Sequence, residues 1–256
     1  MSSTRSPFQK APATDLATDR ATDPVAVIVS HGQPSEPDPP EAELAGLARQ
    51  VAALLPGRDI RSATLAKPGA LDAVLADAGP APLIYPLFMT DGWFTRSALP
   101  KRVGNPAAHI LAPFGADPSL PALARDILAE TLAGRGWRAD DTCLVIAAHG
   151  SGRSRNSARA TEAFAEALAA LLRFREVRLG YVEEPPYLGD VVFDTGAQAI
   201  CLPFFAASGG HVQEDLPEAL NLAGFPGARL DPLGIHARVP QLIAAALARA
   251  MQEQAA

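Results

Sequence analysis

From Val25 onward, short apolar runs alternate with longer segments of helical pattern. VAVIVS is followed by AELAGLARQVAALL, IRSATL, ALDAVLADA and PLIYPLF. This alternation predicts βαβ units, that is, a parallel sheet covered by helices on both faces. The same order then returns: CLVIAAHG, a helix from about Ser157 to Leu172, VRLGYVEE, a short helical stretch and AICLPFF. His31-Gly32 matches His149-Gly150, Lys67-Pro68 matches Glu184-Pro185 and Pro86 matches Pro203. APFGADPSLPALA from Ala112 matches DPLGIHARVPQLI from Asp231, and all four landmarks keep offsets of 117 to 119. The chain therefore reads as two similar parallel-sheet α/β units, 25–136 and 137–256, produced by internal duplication and joined at GRGWRADD. Residues 1–24 contain Ala-Thr-Asp three times and too little apolar surface to offset ordering, so they read as a disordered tail.

Composition narrows the partners. At 256 residues, nearly half of them hydrophobic, the chain can bury one large core or two smaller ones. A net charge of −6 and the lack of any long Lys/Arg block argue against a general nucleic-acid or membrane-surface binder, leaving a small molecule or a protein. No apolar run approaches the length of a membrane span and the first residues lack the apolar centre of a secretory signal, so a cytoplasmic protein is expected. Cys143 and Cys201 each sit inside a strand-like run and read as buried core thiols.

In open parallel sheets, ligands bind beyond the carboxyl ends of the strands. SHGQPSEP, AHGSGRSR, YVEEPPY and FFAASGGHVQED all fall there. His149 follows LVIAA, and His211 follows AICLPFF and Ser208-Gly209-Gly210. Glycines permit close approach and unusual dihedrals, so these loops can aim two imidazoles at one point, an open site for a divalent transition metal. Singly, each would be an ordinary loop histidine. Glu183 and Glu184 end the strand VRLGYV, where a carboxylate can complete a coordination shell or accept a proton; a solvated acidic loop end is the plainer reading. The run from Ser151 through Arg153, Arg155 and Arg159 precedes a helix and offers N–H donors and guanidinium forks to carboxylates, with a solvated basic turn as the alternative. Asp215, just ahead of Leu216-Pro217, reads first as a helix cap and second as a partner that orients the His211 ring.

The first copy differs at these places. Aligning YPLFMTDGWFTRSALPKRV (85–103) with LPFFAASGGHVQEDLPEAL (202–220) on Gly92 and Gly210 places Trp93 opposite His211, while Ala66 stands for Glu183. His31 keeps the place of His149 without its partners, a poor metal site. Trp93 and Phe94 offer an aromatic wall to a flat ligand, with a core or interface role as the alternative. The loop matching the arginine run, GQPSEPDPPEAE, is acidic and proline-rich. His109 and His236 have no partners in sequence and read as surface residues, His236 in a loop bordering the cleft. No Walker loop, GxSxG elbow, HExxH pair or GxGxxG after a strand occurs.

LVIAAHGS with Arg153, GYVEEPPYL, LPFFAASGGHVQEDLP and DPLGIHARVPQL together resemble the class II chelatases, the sirohydrochlorin cobaltochelatase and ferrochelatase family. The resemblance covers the second copy in order and the first more weakly. It implies two chelatase-like, flavodoxin-like α/β halves and insertion of Co²⁺ or Fe²⁺, the metal being a substrate, into sirohydrochlorin, a polycarboxylated tetrapyrrole, with no organic cofactor. By the same resemblance His149 and His211 would be metal ligands and pyrrole-proton acceptors assisted by Glu183, and the arginine loop with Ser151, Gly209 and Gly210 would hold the macrocycle. The first half, lacking two of the three groups, leaves at most one site per chain, and two copies in one chain favour a monomer. A non-catalytic tetrapyrrole or metal carrier, and an α/β binder whose histidines are incidental, remain as alternatives.

Overall fold

The computed structural model describes residues 24–255; the Ala-Thr-Asp tract falls outside the described residues. One four-stranded sheet contains β1 (Ala26–Ser30), β2 (Ile60–Thr64), β3 (Leu83–Pro86) and β4 (His109–Ile110), in the order β2-β1-β3-β4. A second contains β5 (Cys143–Ala148), β6 (Glu176–Tyr181), β7 (Ala199–Phe204) and β8 (Ala228–Arg229), in the order β6-β5-β7-β8. Every pairing is parallel, so the expected pair of parallel α/β units is what forms.

Both faces of each sheet are buried, which explains why the strands read as continuous apolar runs. Leu144, Ile146 and Ala148 of β5 point into a core common to both sheets, while Cys143, Val145 and Ala147 point the other way. Ala26 and Ile28 of β1 join that common core, and Val27 and Val29 face outward to a third cluster. Four long helices fill the common core: α1 (Asp38–Leu54), α4 (Leu120–Arg135), α5 (Asn156–Ala169) and α8 (Val239–Ala255). Short helices cover the outer faces, α2 (Ala70–Ala76) and α3 (Leu99–Val103) on the first sheet, α6 (Leu188–Val191) and α7 (Leu216–Leu222) on the second. The long helices pack crosswise: α1 lies on α8 and α4 on α5, so the first helix of each half meets the last helix of the other. Both cysteines are buried and free, and burial pushes the Cys201 thiol up to about 12, which leaves it an inert core residue.

The acidic, proline-rich segment of the first half is partly helical, because α1 begins at Asp38 and DPPEAE forms its first turn and a half. Proline is tolerated there, where backbone N–H groups have no helical partner, and Asp38 and Glu41 complement the positive end of the helix dipole. Glu41 also accepts hydrogen bonds from the Thr64 backbone N–H (2.8 Å) and hydroxyl (2.6 Å), fastening the helix start to the end of β2.

Candidate metal centre

In each sheet the strand order reverses direction between the first and third strands of that half, which opens a crevice at their carboxyl ends. In the second half the crevice lies between β5 and β7, and His149 and His211 follow these two strands. Gly150 takes φ +76°, and a Cβ there would stand 2.9 Å from both the Glu184 Cγ and the Tyr181 Cβ, so glycine is required for the turn that presents His149. The Glu183 N–H donates to the His149 carbonyl at 2.9 Å, which brings the end of β6 beside the same turn.

The result is a cluster of His149, Glu183 and His211 whose ligand atoms all lie within 4.8 Å of one another. Glu183 sits between the rings, with Oε2 3.6 Å from His149 Nδ1 and Oε1 3.7 Å from His211 Nε2. The imidazoles meet edge to face, 4.2 Å between centroids at 78°. Each of the three side chains remains nearly half exposed, so the cluster is open to a ligand. Two ligands held about 2.1 Å from one ion at a tetrahedral angle stand about 3.4 Å apart. With ligand atoms up to 4.8 Å apart, the set stands wider than that and would draw together to hold a divalent cation.

Neighbouring carbonyl and carboxylate oxygens select the ring tautomers. His149 Nδ1 lies 2.9 Å from the Gly150 carbonyl and His211 Nδ1 lies 2.5 Å from Asp215 Oδ2. With both Nδ1–H groups donating, each Nε2 keeps its lone pair for a cation. Asp215 makes no side-chain cap bond. The preceding π-helical turn, His211–Asp215, runs directly into α7 with Asp215 at φ −68°, ψ −41°, so no non-helical capping residue exists there. The capping expectation gives way to the one that pairs Asp215 with His211.

The other expected groups surround the cluster. The Ser151 N–H donates to Glu184 Oε1 at 3.0 Å, so Glu184 holds the loop rather than joining Glu183. Arg153 and Arg155 are exposed ahead of α5, with Arg155 3.6 Å from Glu162. Gly209 and Gly210 correct an expectation: neither has positive φ and a Cβ on either would meet nothing within 4 Å. Their lack of side chains leaves open space beside His211 instead of meeting a backbone demand.

The first half repeats this backbone with other side chains. Gly32 takes φ +73°, the Ala66 N–H donates to the His31 carbonyl at 2.8 Å, and a π-helical turn spans Phe94–Ala98. This turn matches His211–Asp215, so Phe94, not Trp93, occupies the place of His211, and Ala98 that of Asp215. The Leu99-Pro100 and Leu216-Pro217 pairs that follow both turns fix the same register. The Phe94 ring meets His31 at 4.8 Å and 80°, nearly the disposition of His211 on His149.

Two clefts run between the halves. One, of about 760 Å³, is walled by His31, Phe88 and Met89 on one side and by Ser208, Gly209 and His236 on the other. The second, of about 670 Å³, lies between Asp91, Arg96 and Asp117 of the first half and Asn156 and Arg159 of α5. His236 thus borders the cleft, as expected, while His109 is exposed on the short edge strand β4. Asp117 and His236 hold equivalent places in the matched segments that begin at Ala112 and Asp231. Asp117 Oδ1 accepts the Ser119 N–H at 2.8 Å, and His236 Nδ1 the Arg238 N–H at 3.3 Å. Burial, with Arg238 adding to it, holds the His236 imidazole below the ordinary histidine range.

Comparison with known proteins agrees with this geometry. The CbiX family model matches residues 143–250, the stretch that carries His149, Glu183 and His211. A "Probable sirohydrochlorin cobaltochelatase" of Halobacterium salinarum is 28% identical over 163 residues, 53% of this chain and 55% of that protein, so the chain matches about half the length of this curated relative. The solved structure of CbiX described as the terminal enzyme for biosynthesis of siroheme in denitrifying bacteria is 45% identical. It matches 88% of this chain and 99% of its own, with a TM-score of 0.81. SirB from Bacillus subtilis with Fe³⁺, 14% identical over 90% of this chain and 96% of its own at a TM-score of 0.71, shares the fold. With a cluster of two histidines and a glutamate at the crevice of a duplicated parallel sheet, and near-complete coverage of a CbiX structure at 45% identity, the chain belongs to the CbiX family of class II chelatases.

Proposed function

We propose that the chain inserts a divalent metal, Co²⁺ or Fe²⁺, into sirohydrochlorin, with the second half (137–256) receiving the metal and the first half (25–136) forming the opposite wall. The observation that carries this is the convergence of His149, Glu183 and His211 on one accessible point at the crevice of the second sheet. Neutral Nε2 atoms of the two histidines replace water on the incoming ion, and the Asp215 carboxylate holds the His211 ring in the tautomer that does so. Glu183, between the two rings, accepts protons released by the pyrrole nitrogens as the ion enters. Arg153, Arg155 and Ser151 lie where the carboxylates of an anionic macrocycle would reach, and Gly209 and Gly210 leave room for its rim. Both walls of the clefts come from one chain, which supports a monomer as the working unit. Among the described residues no helix is long and apolar enough to cross a membrane, and our reading places the enzyme in the cytoplasm, acting without an organic cofactor.

Metal ions and protons compete for the same imidazole lone pairs, so metal loading weakens as pH falls. The test follows the absorption of sirohydrochlorin with Co²⁺ or Fe²⁺, with and without enzyme. Wild type accelerates the spectral change and His211→Ala returns it to the uncatalysed rate. No acceleration with any divalent metal would reject the proposal, and tight pigment binding without turnover would make the protein a carrier.

A further inference from the structure

The metal chemistry leaves the aromatic side chains of the first half unused. Trp93 is 66% exposed and Phe94 38% exposed on consecutive positions, a costly display of apolar surface for a residue pair without a partner. They are the outer members of a connected series. Phe94 touches His31 edge to face and stacks on Phe88 with ring centroids 6.1 Å apart, and Trp93 meets Phe94 at 5.1 Å. His31 and Phe88 line the larger cleft, whose facing wall includes Ser208 and Gly209, next in sequence to Gly210 and His211. On its other flank the series reaches the arginine loop of the second half, since a Cβ built on Gly92 would stand 4.0 Å from Asn156 Nδ2, at the start of α5.

We infer that Trp93 and Phe94 form an aromatic plate on which one face of the tetrapyrrole packs while the His149, Glu183 and His211 cluster addresses the metal from the other half. This inference rests on the reading of a tetrapyrrole substrate given above. The repeated π-helical turn carries the argument: the same backbone that presents an imidazole in one half presents a phenyl ring in the other, at nearly the same angle to the preceding histidine. A flat, conjugated ligand gains on such a plate from dispersion and offset stacking without needing hydrogen-bond register. The carboxylates at its rim stay free for Arg153, Arg155 and Arg159, of which Arg153 and Arg159 make no ion pair among the described residues. Trp93 is in this account a residue that binds the macrocycle and takes no part in metal affinity.

Steady-state insertion kinetics with sirohydrochlorin and Co²⁺, run beside Co²⁺ binding to the pigment-free protein, test this division. Trp93→Ala raises KM for the pigment about fivefold to tenfold and keeps kcat within about twofold, as removal of uniform binding does. Its Co²⁺ affinity equals that of wild type, and Trp93→Phe, which keeps a ring, recovers most of the KM. Pigment titration also quenches tryptophan emission in wild type much more than in Trp93→Phe, where Trp137 is the remaining indole. An unchanged KM in Trp93→Ala, or a Co²⁺ affinity that falls in step with KM, overturns the plate. A wild-type protein that fails to accelerate insertion rejects the tetrapyrrole reading itself, so the two failures are told apart by the wild-type control.

Discussion

His149 and His211 in the second half, and His31 and Phe94 in the first, occupy matched turns with ring separations of 4.2 and 4.8 Å and interplanar angles of 78° and 80°. The glycine that turns the chain after each first-strand histidine has the same positive φ within a few degrees, and the same backbone hydrogen bond joins the next strand end. What differs is three side chains: Glu183 against Ala66, His211 against Phe94 and Asp215 against Ala98. Packing therefore preserves the backbone of the candidate metal site in both halves, and side-chain identity alone decides which half has the proposed ligands. The difference separates two kinds of constraint that are usually entangled, the geometry a fold supplies and the donors a reaction needs.

The sharpest way to break this comparison is to transplant the donors. Ala66→Glu combined with Phe94→His and Ala98→Asp should raise Co²⁺ stoichiometry from one to two per chain in equilibrium dialysis. The version without Ala98→Asp should bind the second ion about 10 to 100 times more weakly, because the new imidazole would lack a group to orient it, whereas His31 already has the Gly32 carbonyl 3.0 Å from its Nδ1. A stoichiometry that stays at one in a folded triple variant would show that the two backbones are less alike than their ring angles indicate.

A smaller effect tests equivalence where chemistry plays no part. A Cβ on Gly115 would stand 2.0 Å from the Met89 carbonyl oxygen and one on Gly234 2.0 Å from that of Ala206. Gly115→Ala and Gly234→Ala should each cost about 1–3 kcal/mol, as overpacking does. Their denaturant midpoints should fall by similar amounts, since each glycine also donates its N–H across 2.9 Å to the matched carbonyl of Phe88 or Phe205. A large loss in one half alone would argue that the halves bear load differently.

The smallest effect comes from the pair Asp117 and His236. Burial lowers the His236 pKa below its ordinary value of 6.5, so the unfolded chain takes up this proton more readily than the folded one. Its contribution is fully present above pH 6.5 and is lost as pH falls through the lower folded value. Thermal midpoints of wild type and His236→Gln, compared between pH 8 and pH 5, should show a slightly shallower acid loss in the variant. Equal slopes would remove this difference between the halves.

Much of the fold was legible because fully buried strands leave apolar runs that cannot be mistaken for loops, and because the duplication repeats landmarks such as His31-Gly32 and His149-Gly150. The candidate cluster was legible for the same reason, each donor standing in the segment that follows a recognisable strand. The exact opposite of His211 was misread: aligning Gly92 with Gly210 put Trp93 there, whereas the constant offset of 117 that joins Pro86 to Pro203 and Leu99-Pro100 to Leu216-Pro217 sets Phe94 in that place, and the paired π-helical turns agree. The glycines beside His211 were read as a backbone requirement because sequence does not distinguish a glycine needed for φ from one that only leaves space. Nor could an amphipathic helix announce which sheet it covers, so the crosswise packing of α1 on α8 and α4 on α5 had no signature.

That crosswise packing has a mechanical consequence. Parting the two sheets would tear four helices from a single apolar interior, including Leu128, Leu144, Ile243 and Leu247, none of them more than 1% exposed. The gap between the walls is thus set by the core behind it, like the fixed slot of a thickness gauge. Widening that slot would therefore expose buried apolar area rather than merely shift a loop.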